Sequence, residues 1–276
     1  MTTSPSSGIE VDNDDINWQQ QAPTAVQILG VCGGIGSGKS TVCKLLVSNL
    51  KCAAHVDADS VAHTVYEPGS PGVRAIVDEF GSTVAKKNDC STIADKGKLE
   101  IDRAALGAIV FSDRNEMAKL ERLVWPFCKE EIKNRIQTII DENSSSGNNK
   151  MERSHDEPKG KQSMAQPRLI IVVEAAMMLD AGWQDDLLDA LWAVTVDSST
   201  AIQRLVEQRG MSEQDARQRL AAQASRRGVG NIKEEVEQGT VSAVIDNSSC
   251  SLEELQEILE QKLRDPAAWY KPGRKR

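Results

Sequence analysis

Eight consecutive residues, Gly33, Gly34, Ile35, Gly36, Ser37, Gly38, Lys39 and Ser40, limit what this chain can fold into more than any other feature. They spell G-x-x-x-x-G-K-[ST], after the apolar, β-prone run Gln27–Cys32 and at the start of a helical pattern over Gly38–Leu50. Such a loop needs glycine because its backbone must curl until several N–H groups point inward, along a path that side chains would obstruct. The N-terminus of the following helix adds its dipole at the same place. The motif therefore predicts a phosphate cradle for ATP, with Lys39 against the β- and γ-phosphates and the Ser40 hydroxyl as a ligand of Mg2+. It does not name the acceptor, because kinases, GTPases, motors and hydrolases share it.

The rest of the chain alternates strand and helix. Ala53–Val56 completes a β-α-β unit with the elements flanking the loop. A helical region runs from about Asp102 to Ile140, and Pro126 is expected to break it because Trp125 before it is biased away from helical angles. Apolar strands recur at Leu169–Val173, Leu191–Val196 and Ala243–Asp246. Helices are expected over Ser198–Gln208, from a Ser212/Asp215 capping-box pattern to about Ala224, and over Leu252–Leu263. This order predicts an α/β fold of the P-loop NTPase type, a doubly wound, mostly parallel sheet with a helical insertion serving as substrate-binding region and lid. Residues 1–26 read as a disordered leader, 27–265 as the folded unit and 266–276 as a basic tail. The polar stretch 141–167 reads as a flexible insertion, too long for an ordinary connection.

Composition narrows the functions. A net charge of −8 gives no general attraction to nucleic acid or anionic membrane, so an anionic ligand must be held locally. The most apolar run, Leu169–Val173, is far too short to span a bilayer, and no Lys or Arg precedes Lys39, which excludes an Arg-rich transit peptide. Six scattered cysteines without a CxxC pair or a Cys/His cluster in sequence indicate neither a zinc site nor a disulfide framework, and a cytoplasmic, reducing setting is expected.

Asp57 and Asp59 fall at the C-terminal end of the second strand, where open α/β sheets bind ligands. A carboxylate there can orient or deprotonate an acceptor hydroxyl, and Asp59 is the stronger candidate. Asp57 is equally suited to cap the helix over Ser60–Tyr66. Glu174 ends the next apolar strand, either near a metal's water shell or as a solvated strand end. His63 shares a helix face with Asp59, four residues on, and by itself fits a surface or packed histidine. Trp125, Trp183 and Trp192 read as core. Arginines crowd the late helices at 204, 209, 217, 219, 226 and 227, and one or two of them are expected to form a lid that excludes water from the transferring phosphate.

The ordered set GGIGSGKST, VDADSVAH, EPGSPG, IDRAALGAIVF and RLVEQRGMSEQDARQRLAAQ resembles the dephospho-CoA kinase family over roughly residues 28–250. The resemblance implies ATP-dependent phosphorylation of the ribose 3′-hydroxyl of dephospho-CoA, giving CoA and ADP. By the same resemblance Gly33–Ser40 and Thr41 hold ATP, Lys39, Asp59 and Arg204 are catalytic, and Asn247 belongs to the nucleotide-base segment. Asp57, Asp59 and His63 stand on the substrate side, residues 61–140 form the substrate region, and 198–230 form the lid helices.

Two segments depart from the bacterial pattern. Trp125-Pro126 replaces His-Pro, which removes any role of that histidine, and Ala176–Asp180 replaces Pro-Leu-Leu-Phe-Glu. Both are similar to the kinase domain of the eukaryotic bifunctional CoA synthase. No adenylyltransferase domain is expected ahead of residue 27, so a separate adenylyltransferase is a candidate partner. The rival readings are a nucleoside monophosphate kinase on the same core and a nucleotide-dependent binding protein, which would need neither Asp59 nor an arginine lid.

Overall fold

The computed structural model describes residues 26–86, 99–147 and 168–269. The expected leader, all but its last residue, lies outside the described residues, as do 148–167 of the expected insertion and 270–276 of the tail. Five strands, β1 (Val26–Gly33), β2 (Ala54–Asp57), β3 (Leu169–Glu174), β4 (Ala190–Thr195) and β5 (Ala243–Asp246), form one sheet in the order β2-β3-β1-β4-β5. Every pairing is parallel, so the sheet is wholly rather than mostly parallel.

A parallel sheet must be covered on both faces, and the sequence shows why this one is. LIIVVE and ALWAVT are continuous apolar runs rather than alternating ones. Along them the side chains divide by parity. Ile28, Cys32, Ile171, Val173, Leu191 and Ala193 enter one buried cluster, while Leu29, Val31, Val172, Trp192 and Val194 enter the other. The second cluster is closed by α1 (Lys39–Ser48) and α9 (Leu252–Arg264), the first by the layer of α2 (Ala58–Val65), α3 (Pro71–Phe80), α4 (Arg103–Ser112) and α5 (Arg114–Gly147).

Local chemistry fixes where these helices begin. Asp57 caps α2, Ser70 with Pro71 behind it opens α3, and Asp102 accepts from both Ala104 N and Ala105 N to open α4. Two helices follow β4, α6 (Ser198–Arg209) and α7 (Glu213–Gln223), with a shorter α8 (Ile232–Glu237) before β5. Asp197 caps α6, and Gly210, at φ 64°, ends it. Ser212 caps α7 through Asp215 N, but its hydroxyl bonds back to the Asp215 carboxylate, so the expected box is closed through side chains. The reciprocal box is found at α9, between Ser251 and Glu254.

The expected break at Pro126 does not occur. α5 runs through Pro126 as one helix, and the chain interrupts its helical run earlier, at Asp113. The reason lies in its buried face, where Leu120, Val124, Cys128, Ile132, Ile136 and Ile140 repeat at every fourth position and pin both halves to the same core. Pro126 and Arg122 stand on the exposed face, so the carbonyl deprived of its amide partner is on the water side. Pro126→Ala is therefore expected to restore that bond and stabilise the fold by about 1–2 kcal/mol, read as a rise of a few degrees in Tm. α5 also continues to Gly147, into the segment expected to be a loop from residue 141.

The folded unit extends past residue 265. Pro266–Trp269 form a 3-10 turn, Trp192 Nε1 donates to Ala268 O at 2.9 Å, and the Trp192 and Trp269 rings meet edge to face at 5.9 Å. Trp183 and Trp192 are core, as expected, and Trp125 is half-buried.

Candidate active site

The strand order reverses at β1, with β3 on one side and β4 on the other, and the loop leaving β1 opens into the crevice that this leaves. Gly36 and Gly38 take φ values of 77° and 90°, which L side chains rarely adopt. Close approach requires glycine as well. A Cβ on Gly33 would lie 2.3 Å from Val194 O, and one on Gly38 would lie 2.3 Å from Asn247 Nδ2.

A cavity of about 490 Å3 sits over this loop, lined among others by Gly36, Lys39, Ser40, Asp59, Glu174 and Arg204. Ile35, Gly38, Thr41 and Asn247 also line it. Gly34 and Ser37 face a second cavity of about 430 Å3 behind the loop, and Ile35 borders both. Thus one wall is the predicted phosphate cradle and the facing walls come from α2, β3 and α6.

Lys39 Nζ is folded over its own loop, donating to Gly33 O at 3.0 Å and Gly34 O at 3.2 Å. Burial pushes the ammonium down from the ordinary lysine range, while the carboxylates of Glu174 and Asp59 act in the opposite sense. A half-buried cation whose nearest bonds are to neutral carbonyls suits an anionic ligand. Ser40 Oγ donates to Glu174 Oε1 at 2.9 Å, and His55 Nε2 lies 3.1 Å from Glu174 Oε2. Burial works against the charge of Glu174, but His55, Ser40 and Lys39 together outweigh it and hold the carboxyl below its ordinary range. The pairing Asp57↔Glu174 in the β2–β3 register places both strand ends at the mouth of the crevice.

Asp59 projects into the cavity from the first turn of α2. Although Asp59 is exposed to the open cavity, desolvation by the surrounding protein raises its carboxyl above the ordinary range, Asp57 and Glu174 add to this, and Lys39 and His63 oppose it. Asp57 has both oxygens engaged, Oδ1 by Asp59 N at 2.9 Å and Oδ2 by Ser60 Oγ at 2.7 Å. Its geometry is that of a cap, which sets the orientation of Asp59. His63 is exposed on α2 and, like Asp57, is not among the residues lining the cavity.

Arg204 and Asn247 brace the loop from the opposite side. Arg204 Nη2 donates to Asn247 O at 2.7 Å and its Nη1 reaches Gly36 O and Ser37 O at 3.4 Å, while Asn247 Nδ2 donates to Ser37 O at 2.8 Å. Gln223, which no local pattern singles out, accepts from Ile35 N at 2.8 Å and ties α7 to the same loop. Of the other arginines, Arg209 lines the cavity.

Arg226 and Arg227 serve the architecture. Arg226 contacts Glu121 at 3.0 Å, and Arg227 grips the buried Glu235 with two bonds of 2.7 and 2.9 Å while donating to Leu179 O. Arg227→Met is expected to strand the Glu235 charge and destabilise the fold by about 2 kcal/mol, below the cost of breaking a fully buried pair because Arg227 is half exposed. Denaturant unfolding checks this, with m unchanged.

Among the described residues no helix is long and apolar enough to cross a membrane, and Cys32, Cys43, Cys52, Cys128 and Cys250 are free thiols.

Comparison with known proteins agrees with this architecture. Residues 27–145 match the dephospho-CoA kinase family. A dephospho-CoA kinase of Thermobifida fusca is 31% identical over 241 residues, covering 85% of this chain and 97% of the relative. One from Symbiobacterium thermophilum is 32% identical over 200 residues, covering 72% of this chain and 68% of the relative. The crystal structure of TT1252 from Thermus thermophilus superposes with a TM-score of 0.56 at 22% identity, over 86% of this chain and 96% of that one, and shares the fold. With identity above 30% over two thirds or more of each of these relatives, and the phosphate loop, acidic residues and arginine gathered around one cavity, the chain belongs to the dephospho-CoA kinase family.

Proposed function

We propose that this chain transfers the γ-phosphate of ATP to the ribose 3′-hydroxyl of dephospho-CoA, giving CoA and ADP. One observation carries the reading: in a chain of this family, Lys39, Ser40, Asp59, Glu174 and Arg204 converge on a single cavity.

The residues divide the work by chemistry. Backbone amides of the loop and Lys39 hold and neutralise the phosphates, and Lys39 needs only to leave the carbonyls of Gly33 and Gly34 to do so. The Ser40 hydroxyl beside the Glu174 carboxylate is a hard-oxygen corner that suits Mg2+, which prefers such ligands and keeps several waters. A bound Mg2+ would supply positive charge against the negative charge of the transferring phosphate. Asp59 accepts the hydrogen bond, and then the proton, of the acceptor hydroxyl, aligning the oxygen for in-line attack. Arg204 and Arg209 stand where positive charge can meet the equatorial oxygens of the transferring group.

The layer α2–α5 covers the acceptor, and α6–α7, tied to the loop by Arg204 and Gln223, cover the phosphates. Asn247 steadies the loop from the segment that would border the base. The free thiols fit a reducing cytoplasm, where a separate adenylyltransferase would supply dephospho-CoA. The test is ADP release with ATP and Mg2+ across dephospho-CoA, AMP, CMP and UMP. Turnover confined to dephospho-CoA agrees with the proposal, and phosphorylation of a nucleoside monophosphate instead would replace it with the monophosphate kinase reading.

A further inference from the structure

Glu174 makes more contacts than phosphate chemistry asks of it. On the side away from Ser40 it meets two residues of different chemistry. Cys43, wholly buried on the second turn of α1, brings its thiol to within 4.8 Å of the Glu174 carboxylate, and His55 on β2 brings Nε2 to 3.1 Å from Glu174 Oε2. His55 Nε2 is shielded from solvent and makes no well-aligned hydrogen bond. One donor atom from each of Cys43, His55 and Glu174 lies within 4.8 Å of the others.

Sulfur, imidazole nitrogen and carboxylate oxygen together are a donor set for a borderline-soft cation. Mg2+ and Ca2+ take oxygen ligands, whereas Zn2+ accepts all three types in tetrahedral sites. Metal–donor bonds of about 2.0–2.3 Å place tetrahedral donors about 3.5 Å apart, so donors that lie within 4.8 Å of one another need a contraction of at most about 1.3 Å. The positions 43, 55 and 174 are too widely spaced to form a ligand pattern in sequence, and β2 and β3 must pair before they meet.

We propose that Cys43, His55 and Glu174 form a binding site for a thiophilic divalent cation of the Zn2+ type, and that its occupation inhibits the kinase by withdrawing Glu174 from Ser40. On binding, the Cys43 S–H bond breaks, its proton leaves to solvent, and a metal–sulfur bond forms with no change of oxidation state. Burial and the neighbouring carboxylate keep the free thiol protonated far above the ordinary range, and the cation supplies the charge that they deny it. Glu174 and His55 supply the second and third ligands, and water completes the tetrahedron. The Ser40 hydroxyl then loses its 2.9 Å acceptor at the place where Mg2+ is proposed to sit. The binding site stands on geometry alone, and only the inhibition rests on the proposed function.

The probe is Co2+ added to chelator-treated, nucleotide-free protein, followed by displacement with Zn2+. One equivalent per chain is expected to give a thiolate-to-cobalt charge-transfer band in the near ultraviolet, retained in Cys250→Ser and lost in Cys43→Ser. Affinity is expected to fall about 10-fold or more in His55→Gln, which gives the same reading from a half-buried position if Cys43→Ser unfolds. In the second readout Zn2+ slows ADP release by the wild type at saturating ATP and Mg2+, and Cys43→Ser resists it. No band, or a band that persists in Cys43→Ser, overturns the site. A band without inhibition overturns the inhibitory consequence. Because Co2+ binding requires no acceptor, its outcome is independent of which hydroxyl the enzyme phosphorylates.

Discussion

Asp59→Asn is expected to lower kcat for phosphoryl transfer by roughly 10²–10⁴-fold, the range of a positioned acid or base, while ATP affinity is nearly unchanged. The reason is that Asp59 reaches the cavity from α2, whereas the cradle for the phosphates is built from α1 and its preceding loop. The pH profile supplies a second signature. Because desolvation, Asp57 and Glu174 raise the Asp59 carboxyl in the free protein, the acid limb of kcat/KM should fall at higher pH than for an ordinary solvated carboxylate, and the residual activity of the Asn variant should lack it.

Stability is expected to move the other way. A carboxyl whose folded pKa is raised above its unfolded value holds its proton more tightly in the folded state, so its ionisation lowers stability as pH rises through that range. Removing the charge should therefore leave Tm at neutral pH unchanged or higher. A loss of Tm together with activity would mean that Asp59 is structural.

Gly38→Ala is expected to weaken ATP binding by about 10- to 100-fold, corresponding to about 1–3 kcal/mol of backbone strain. Two separate obstacles meet at this position: φ is 90°, and the added Cβ would stand 2.3 Å from Asn247 Nδ2. That nitrogen donates to Ser37 O, so yielding to the methyl means giving up a bond that holds the loop. Asn247→Ala in the Gly38→Ala background should recover part of the affinity, because it removes the clash and leaves the strain. A double-mutant cycle on ATP binding, measured by calorimetry, separates the two contributions. Strict additivity would show that Asn247 and Gly38 are not coupled.

The parts of this molecule that were legible in sequence are those encoded locally. Gly33–Ser40 carries its own spacing and context, and the apolar runs of β3 and β4 announce strands buried on both faces. Asp59 is singled out by its place at the end of β2, and it lines the cavity. The contacts that complete the site join residues far apart: Ser40 to Glu174, Ile35 to Gln223, and Ser37 to Asn247. Each depends on the sheet order, and no local pattern in Gln223 or Asn247 encodes it.

Pro126 shows the opposite failure. Its local signal is strong, yet a buried face repeating every fourth residue along α5 holds the helix together through it. In sequence Asp57 fits two roles, because capping and ligand binding use the same carboxylate at the same strand end, and its two short bonds to Asp59 N and Ser60 Oγ are those of a cap.

Transfer to one hydroxyl of one acceptor is read from the position of the new phosphate in the product made from ATP, Mg2+ and dephospho-CoA, resolved by phosphorus–proton correlation NMR, with Asp59→Asn run in parallel. A phosphate on the ribose 3′ oxygen is expected in the wild-type reaction and almost none in the variant. A phosphate elsewhere, or ADP release with dephospho-CoA returned unchanged, would contradict the proposed transfer.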